Sequence, residues 1–333
     1  MPAPGGALSS SPTRSSARPR RAPGSRAGRY WADPSPACDD QRVSPLVHPR
    51  TALARALLTR VAGPEADEAR HRIHRAPGPR SFDPRSPIGR VHGDASMFVG
   101  GVRALLLQSL HPLVMQGVAD HSGYRSDPWG RLQRTATFIA TTTFGTQEDA
   151  DRAVRIVGAV HKRVVGETPD GVPYAASDPR LLTWVHVTEA ESFLLAHQRF
   201  GRRPLDRAGC DEYVAQSAVV ARALGAEDVP TTLAELRASL AGFRPELAST
   251  DPARDVARFL LLTPPLPWAA RPGYALIAAA GVGLLPVWAR RELALPAVPV
   301  LDPVLRAGGR AITATIRWAL DPLDPVRTAA PTA

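Results

Sequence analysis

Cysteine is nearly absent from the sequence, which has only Cys38 and Cys210 in 333 residues. A disulfide framework and a zinc site with several cysteine ligands are therefore excluded. Hydrophobic runs are short as well, because the most apolar one, residues 274–289, has 16 residues and a membrane-spanning helix needs roughly 20. The motifs GxSxG, GxGxxG and HExxH and the P-loop are also missing, so hydrolase, nucleotide-binding and zinc-peptidase functions lose their usual support.

Lysine is almost missing too, since Lys162 is the single lysine among 41 lysines and arginines. The net charge of +10 is concentrated in residues 1–90, which contain 16 arginines and 7 acidic residues, whereas the remaining 25 basic and 24 acidic residues nearly balance. This distribution is typical of a compositional bias combined with a basic tail rather than of a phosphate-binding surface. We therefore expect no nucleic-acid partner.

The N-terminal region differs in composition from the rest. Residues 1–46 are rich in Pro, Ser, Gly and Arg, which predicts disorder, and the region through residue 86 is expected to be disordered or loosely structured, with a short helix at 50–62. The first 32 residues lack acidic side chains, a weak likeness to an organellar transit peptide, but no apolar region of an export signal is present. A merely flexible start is the favoured interpretation, followed by one helical domain over residues 87–325.

Strong helical periodicity begins at Asp94, and residues that cap helices recur along the chain. The predicted helices cover residues 95–119, 127–145, 147–165, 180–198, 209–224, 231–241, 252–262, 274–289 and 303–320. No stretch alternates convincingly with a period of two residues. The sequence therefore predicts an all-α domain.

The apolar run at 274–289 allows two interpretations. A core helix is the default because the run is short and contains Pro286. A peripheral membrane contact is the alternative, since arginines flank the run and Trp288 lies near its end.

Polar side chains occur where the second of these helices should be covered. Arg131, Arg134 and Thr135 share one helix face with Phe138 and Thr142. If that face meets solvent, both arginines are ordinary surface residues. If it is buried, both need anionic or strongly polar partners.

Three histidines also lie among apolar residues. His161 shares a helix face with Val154 and Val157, and His186 has Glu189 three residues away. His111 directly precedes Pro112, which should kink its helix and make room for a ligand. Each is either a plain core residue or a ligand, and a neutral imidazole aimed into an apolar cavity suits axial ligation of haem iron.

These segments resemble the MpaB and rubber-oxygenase (latex-clearing protein) family. The likeness runs through GGVRALLLQSLHPLVMQGVADHS, YRSDPWGRLQRTATFIATTTFG and VHKRVVGETPDGVPYAASDPRLLTWVH, and fades near Arg290, so that it covers roughly residues 88–300. The resemblance implies a globin-like all-α fold that holds haem b and oxidises a substrate with dioxygen.

The resemblance also implies roles for individual residues. His161 corresponds to the proximal haem ligand and metal-binding residue, with His186 and His111 as further candidates at the cofactor. Arg131 and Thr135 match a conserved arginine and threonine of the catalytic pocket, and Arg134 takes the place of a lysine on the distal side of the iron.

Two departures from the family pattern shape the expected function. Rubber oxygenases use a glutamate on the preceding helix as catalytic base, whereas residues 111–127 contain no glutamate and offer only Asp120 and Asp127. Rubber oxygenases are also secreted, and this chain shows no export signal. We therefore expect a cytoplasmic or membrane-associated haem oxygenase that acts on a hydrophobic small molecule. The alternative is a non-catalytic helical protein that binds a lipophilic ligand or a membrane surface.

Overall fold

The computed structural model describes residues 49–296, 300 and 302–321, and the predicted disorder of residues 1–46 lies outside them. The described residues form fourteen α-helices and two short strands. In chain order these are α1 (Pro49–Ala62), α2 (Ala66–Arg75), α3 (Pro87–His92), α4 (Met97–Gln108), α5 (Pro112–His121), α6 (Pro128–Phe144), α7 (Gln147–His161), β1 (Val165–Glu167), β2 (Pro173–Ala175), α8 (Pro179–Phe200), α9 (Arg207–Leu224), α10 (Leu233–Gly242), α11 (Asp251–Leu262), α12 (Arg271–Leu284), α13 (Val287–Glu292) and α14 (Asp302–Leu320). The all-α prediction is confirmed.

The core is built around α8, which packs along α4 on one side and along α9 on another. The largest fully buried side chains, Trp184 and Tyr213, lie on α8 and α9. Gly100 on α4 allows the close contact with α8, because a Cβ atom there would lie 2.8 Å from the Phe193 ring. On its other side α4 meets α12, and α14 packs on α12.

The predicted helix over 95–119 is two helices. The helix is interrupted at residues 109–111, because Pro112 cannot continue a helix from the preceding turn. The axes of α4 and α5 differ in direction by 106°. The kink predicted at Pro112 is thus a full break. Among the described residues no single helix is long and apolar enough to cross a bilayer, and α4 and α5 reach that length and composition only as this bent pair.

The apolar run at 274–289 is also divided, at Pro286, between α12 and α13. Ile277 and Ala280 are buried, as the core-helix interpretation expects. The buried Arg290 stabilises the break because its guanidinium donates to the carbonyls of Gly283, at 2.6 Å, and Leu285, at 3.1 Å. These are carbonyls that the end of a helix leaves without internal partners.

Helix starts follow the capping residues closely. The Asp127 side chain accepts from the Gly130 N–H at 2.9 Å, and Thr146 accepts from the Asp149 N–H at 3.2 Å. Asp178 caps α8 in the same way. The predicted starts of α6, α7 and α8 therefore agree with the structure to within a residue or two.

The third predicted helix, 147–165, ends earlier, at His161. The chain then forms an antiparallel hairpin in which Gly166 pairs with Tyr174. Gly171 in the turn has a φ of +78°, a conformation that glycine adopts without strain. No strand was predicted here.

Helical packing begins before residue 87. The first helix, α1, packs against α6 and α14, and the side chain of Arg50 donates to the Trp318 carbonyl at 2.8 Å. The guanidinium of Arg60 lies 4.4 Å from the centre of the Trp129 ring on α6. The packed body thus extends further towards the N-terminus than the predicted boundary.

Candidate functional site

Helix α6 has one face against α1 and another directed away from it. Trp129 and Gln133 contact α1 through Arg60. Since successive residues turn by about 100° around a helix, Arg131, Thr135 and Phe138 lie on the opposite side. Phe138 is only half-buried and Thr135 is exposed, so this face is incompletely covered.

The polar residues predicted on that face have different surroundings. Arg131 is half-buried, and its Nη1 atom is buried without a hydrogen-bond partner. Burial, with a smaller contribution from the charge of Arg134, lowers the pKa of this guanidinium. A buried cation without an anion is costly, so Arg131 is suited to receive an anionic ligand.

Arg134 and Thr135 do not share this burial. The Arg134 side chain is 66% exposed and pairs with Asp127 at 3.2 Å, and the exposed Thr135 hydroxyl donates to the Arg131 carbonyl at 3.1 Å. The buried interpretation is therefore wrong for Arg134, because Asp127 holds it at the solvent-facing start of α6. These two residues lack the environment expected of pocket residues.

His161 ends the inward face of α7. It lies one and two turns beyond Val157 and Val154, and its Nδ1 atom is buried without a hydrogen-bond partner. Burial lowers its pKa, so the ring is neutral at physiological pH. A neutral imidazole with an unpaired nitrogen is the form that binds metals.

His186 and Glu189 lie one turn apart on the face of α8 that meets α9. Burial, and next the charge of Arg222 on α9, lower the pKa of His186 to about 4, and its Nε2 atom has no hydrogen-bond partner. Burial raises the pKa of Glu189 to about 7. Glu189 therefore exchanges a proton near neutral pH, which suits an acid–base group.

Tyr213 is a second buried polar group in this part of the molecule. Burial, followed by the charge of Glu189, raises the pKa of Tyr213 on α9 well above its usual value. The Tyr213 hydroxyl lies 3.4 Å from Nε2 of His92. The other ring nitrogen of His92 lies 2.8 Å from the Thr143 hydroxyl on α6. These polar contacts join α6 to α3 and α3 to α9.

His92, His186 and Glu189 resemble one another in their burial. Burial is the largest cause of the pKa shift of each and lowers the pKa of His92 to about 3, and each side chain is half-buried. The inward faces of α6 and α7 carry the same half-buried side chains, and α7 packs on both α6 and α9.

His111 lies elsewhere. It is buried against Trp184 and Phe243, with ring centres 6.2 and 6.5 Å away, and its Nε2 atom is 3.6 Å from the Glu246 carboxylate. Trp184 and His186 are two residues apart on α8 and so point in nearly opposite directions. The structure therefore does not bring His111 together with His186 on one side of α8.

Within the described residues no group of three or more His, Cys, Asp or Glu side chains could hold a metal ion. The lack of such a group is compatible with haem, because haem iron needs only a single protein ligand. Sequence analysis missed His92 and Tyr213, since neither belongs to a local motif.

Comparison with known protein families identifies the family of the chain. The catalytic domain of the ER-bound oxygenase mpaB/B' and rubber oxygenase matches residues 89–318, more than half of the chain. The chain belongs to this family. The resemblance seen in the sequence is confirmed.

An uncharacterized protein of Mycobacterium bovis is 30% identical over 98 residues, which cover 29% of this chain and 38% of that protein. An uncharacterized protein of Mycobacterium tuberculosis matches with the same identity and coverage. The chain thus covers less than half the length of these curated relatives. No solved structure matches the chain.

The matched model describes the catalytic domain of an oxygenase family.

Proposed function

We propose that the protein is a haem b-dependent oxygenase that uses dioxygen to oxidise a hydrophobic small molecule. The observation that carries the proposal is the buried, partnerless Nδ1 atom of the neutral His161 ring in a member of an oxygenase family. Buried polar atoms of proteins nearly always have partners. Binding to haem iron would satisfy this one.

Other residues of α6 and α7 also suit a haem. Arg131 has a buried Nη1 atom without a partner, and a haem carries two propionates that pair well with arginine. Val154 and Val157 supply apolar surface for the macrocycle. The residues present could thus supply a ligand to the iron, a counter-charge for the propionates and apolar surface for the ring.

Bound haem would supply the site with the capacity to bind and activate dioxygen. His161 would hold the group, and Arg131 would orient it through charge. Glu189, whose pKa is about 7, can hold or release a proton at physiological pH. It is therefore our candidate for the acid–base residue, in place of the family's glutamate, which residues 111–127 of this chain lack.

Haem uptake by the purified protein tests the proposal. We expect that haemin added to the haem-free protein gives a Soret band at one haem per chain and raises the thermal midpoint of unfolding, because a ligand that binds only the folded state stabilises it. If no Soret band forms after reconstitution, the function is wrong. A protein that gains stability from lipophilic compounds but not from haemin would support the ligand-binding alternative.

Substitution of His161 tests the ligand assignment. His161→Ala is expected to abolish or strongly shift the Soret band, and added imidazole should restore it by occupying the vacated position. The matched control is His71→Ala, which removes an exposed histidine of α2 and should leave the spectrum unchanged. A normal spectrum in His161→Ala combined with a lost band in His186→Ala would transfer the axial role to His186.

A further inference from the structure

The end of α11, the connection that follows it and the start of α12 expose large apolar side chains. Within residues 262–276, here named the 262–276 segment, Trp268 is 83% exposed, Leu262 is 74% exposed and Leu276 is 42% exposed. Scattered apolar side chains are common on protein surfaces, but several large ones concentrated in a short segment mark a site of interaction. Tryptophan is also the side chain most suited to the boundary between water and lipid.

The backbone of the segment is fixed by prolines and by a hydrogen bond to α11. Four prolines fix its backbone dihedrals, and the Tyr274 hydroxyl donates to the Leu260 carbonyl on α11 at 2.8 Å. A 3₁₀ turn carries Trp268, with a backbone bond from Ala270 to Pro267 of 2.9 Å. Because this backbone is already ordered, contact with a surface would cost little conformational entropy.

The charges of this stretch of sequence are of one sign. Residues 256–291 contain no aspartate or glutamate, and the exposed Arg258 and Arg271 lie four residues before the segment and within it. Apolar side chains flanked by cations and free of acidic residues complement a bilayer with anionic headgroups. A second copy of the same segment would bring like charges together.

We propose that the 262–276 segment docks the protein on a membrane surface that contains anionic lipids. Trp268 and Leu262 enter the boundary between headgroups and acyl chains, and Arg258 and Arg271 contact the phosphates. This proposal is independent of haem binding. The segment shares only residues 274–276 with the predicted run at 274–289, in which Ile277 and Leu285 are buried.

Co-sedimentation of the full-length chain with vesicles tests the proposal. Vesicles of phosphatidylcholine alone are compared with vesicles of phosphatidylcholine and phosphatidylserine in equal amounts. We expect the double variant Trp268→Ser, Leu262→Ser to bind both kinds of vesicle at least about tenfold more weakly than the original protein, because it loses the inserted apolar area. Arg258→Ser with Arg271→Ser should weaken binding only to the vesicles that contain phosphatidylserine.

The matched control is Ile156→Ser, which removes an apolar side chain of α7 that is 58% exposed. It should bind like the original protein. Because arginines near the N-terminus also attract anionic lipid, variants are compared on the same vesicles. Equal binding by the double variant and the control would overturn the proposal. So would lipid-independent self-association that the double variant abolishes, which would make a second copy of the chain the occupant.

Discussion

Replacing Glu191 with glutamine is expected to lower the free energy of unfolding by about 3–5 kcal/mol, the usual loss when one partner of a buried ion pair is removed. Glu191 on α8 pairs with Arg103 on α4, whose side chain is 3% exposed. Arg103 also donates to Ser192 Oγ at 2.6 Å and to the Leu284 carbonyl at 2.9 Å. Burial lowers the pKa of Arg103 while Glu191 opposes that shift, so the variant leaves a buried cation without its counter-charge.

Urea denaturation followed by circular dichroism measures this effect. The double variant Arg103→Met, Glu191→Gln should recover most of the lost stability, because it removes both charges together. The control Glu212→Gln changes an exposed glutamate of α9 and should alter stability by less than about 0.5 kcal/mol. If Glu191→Gln is no more harmful than this control, the ion pair does not join α4 to α8 energetically.

Replacing Glu189 with glutamine should stabilise the protein in alkaline solution and much less in acid. The pKa of Glu189 rises from 4.5 to about 7 on folding, so the folded state resists ionisation of this carboxyl group. The resulting penalty is absent below the unfolded pKa, grows as the pH rises between the two values and is complete above the folded pKa. At one pKa unit per 1.36 kcal/mol, it reaches up to about 3 kcal/mol.

Denaturation of the original protein and of Glu189→Gln at about pH 5 and about pH 8 measures this difference. The variant should gain most of its extra stability at the higher pH. Glu212→Gln serves again as the control and should give no such pH-dependent gain. An equal effect of Glu189→Gln at both pH values would mean that the carboxyl group ionises normally and is unsuited to acid–base work.

Local chemistry accounts for what the sequence predicted well. The starts of α6, α7 and α8 depend on Asp127, Thr146 and Asp178, whose capping bonds span only two or three residues. Such contacts are fixed by neighbours in the chain. The kink at Pro112 followed from the same local reasoning, but the angle between α4 and α5 depends on packing and could not be predicted.

The β1–β2 hairpin had a local signal that was overlooked. Asp170-Gly171 is a favoured turn pair for hairpins, and Gly171 has the positive φ that such turns need. The flanking residues do not alternate with a period of two, because only Tyr174 is buried in the two strands. A search for alternation alone therefore could not find strands this short.

The site was predictable only in part. The placement of His161 on the inward face of α7 followed from its spacing with the valines, whereas the exposure of Arg134 depends on its partner Asp127 and on which side of α6 meets α1. The polar chain of His92, Tyr213 and Thr143 joins three helices that are distant in sequence. The periodicity within one helix does not show which side chains of distant helices contact one another.

The position of α1 has a practical consequence. This helix lies behind α6, on the side away from Arg131, although the family match starts only at residue 89. A shortened protein that begins at residue 89 would keep His92, Arg131, His161, His186 and Glu189 but would expose the side of α6 that α1 covers. The family match and the helical packing thus begin at different residues, and we expect a stable fragment to require α1.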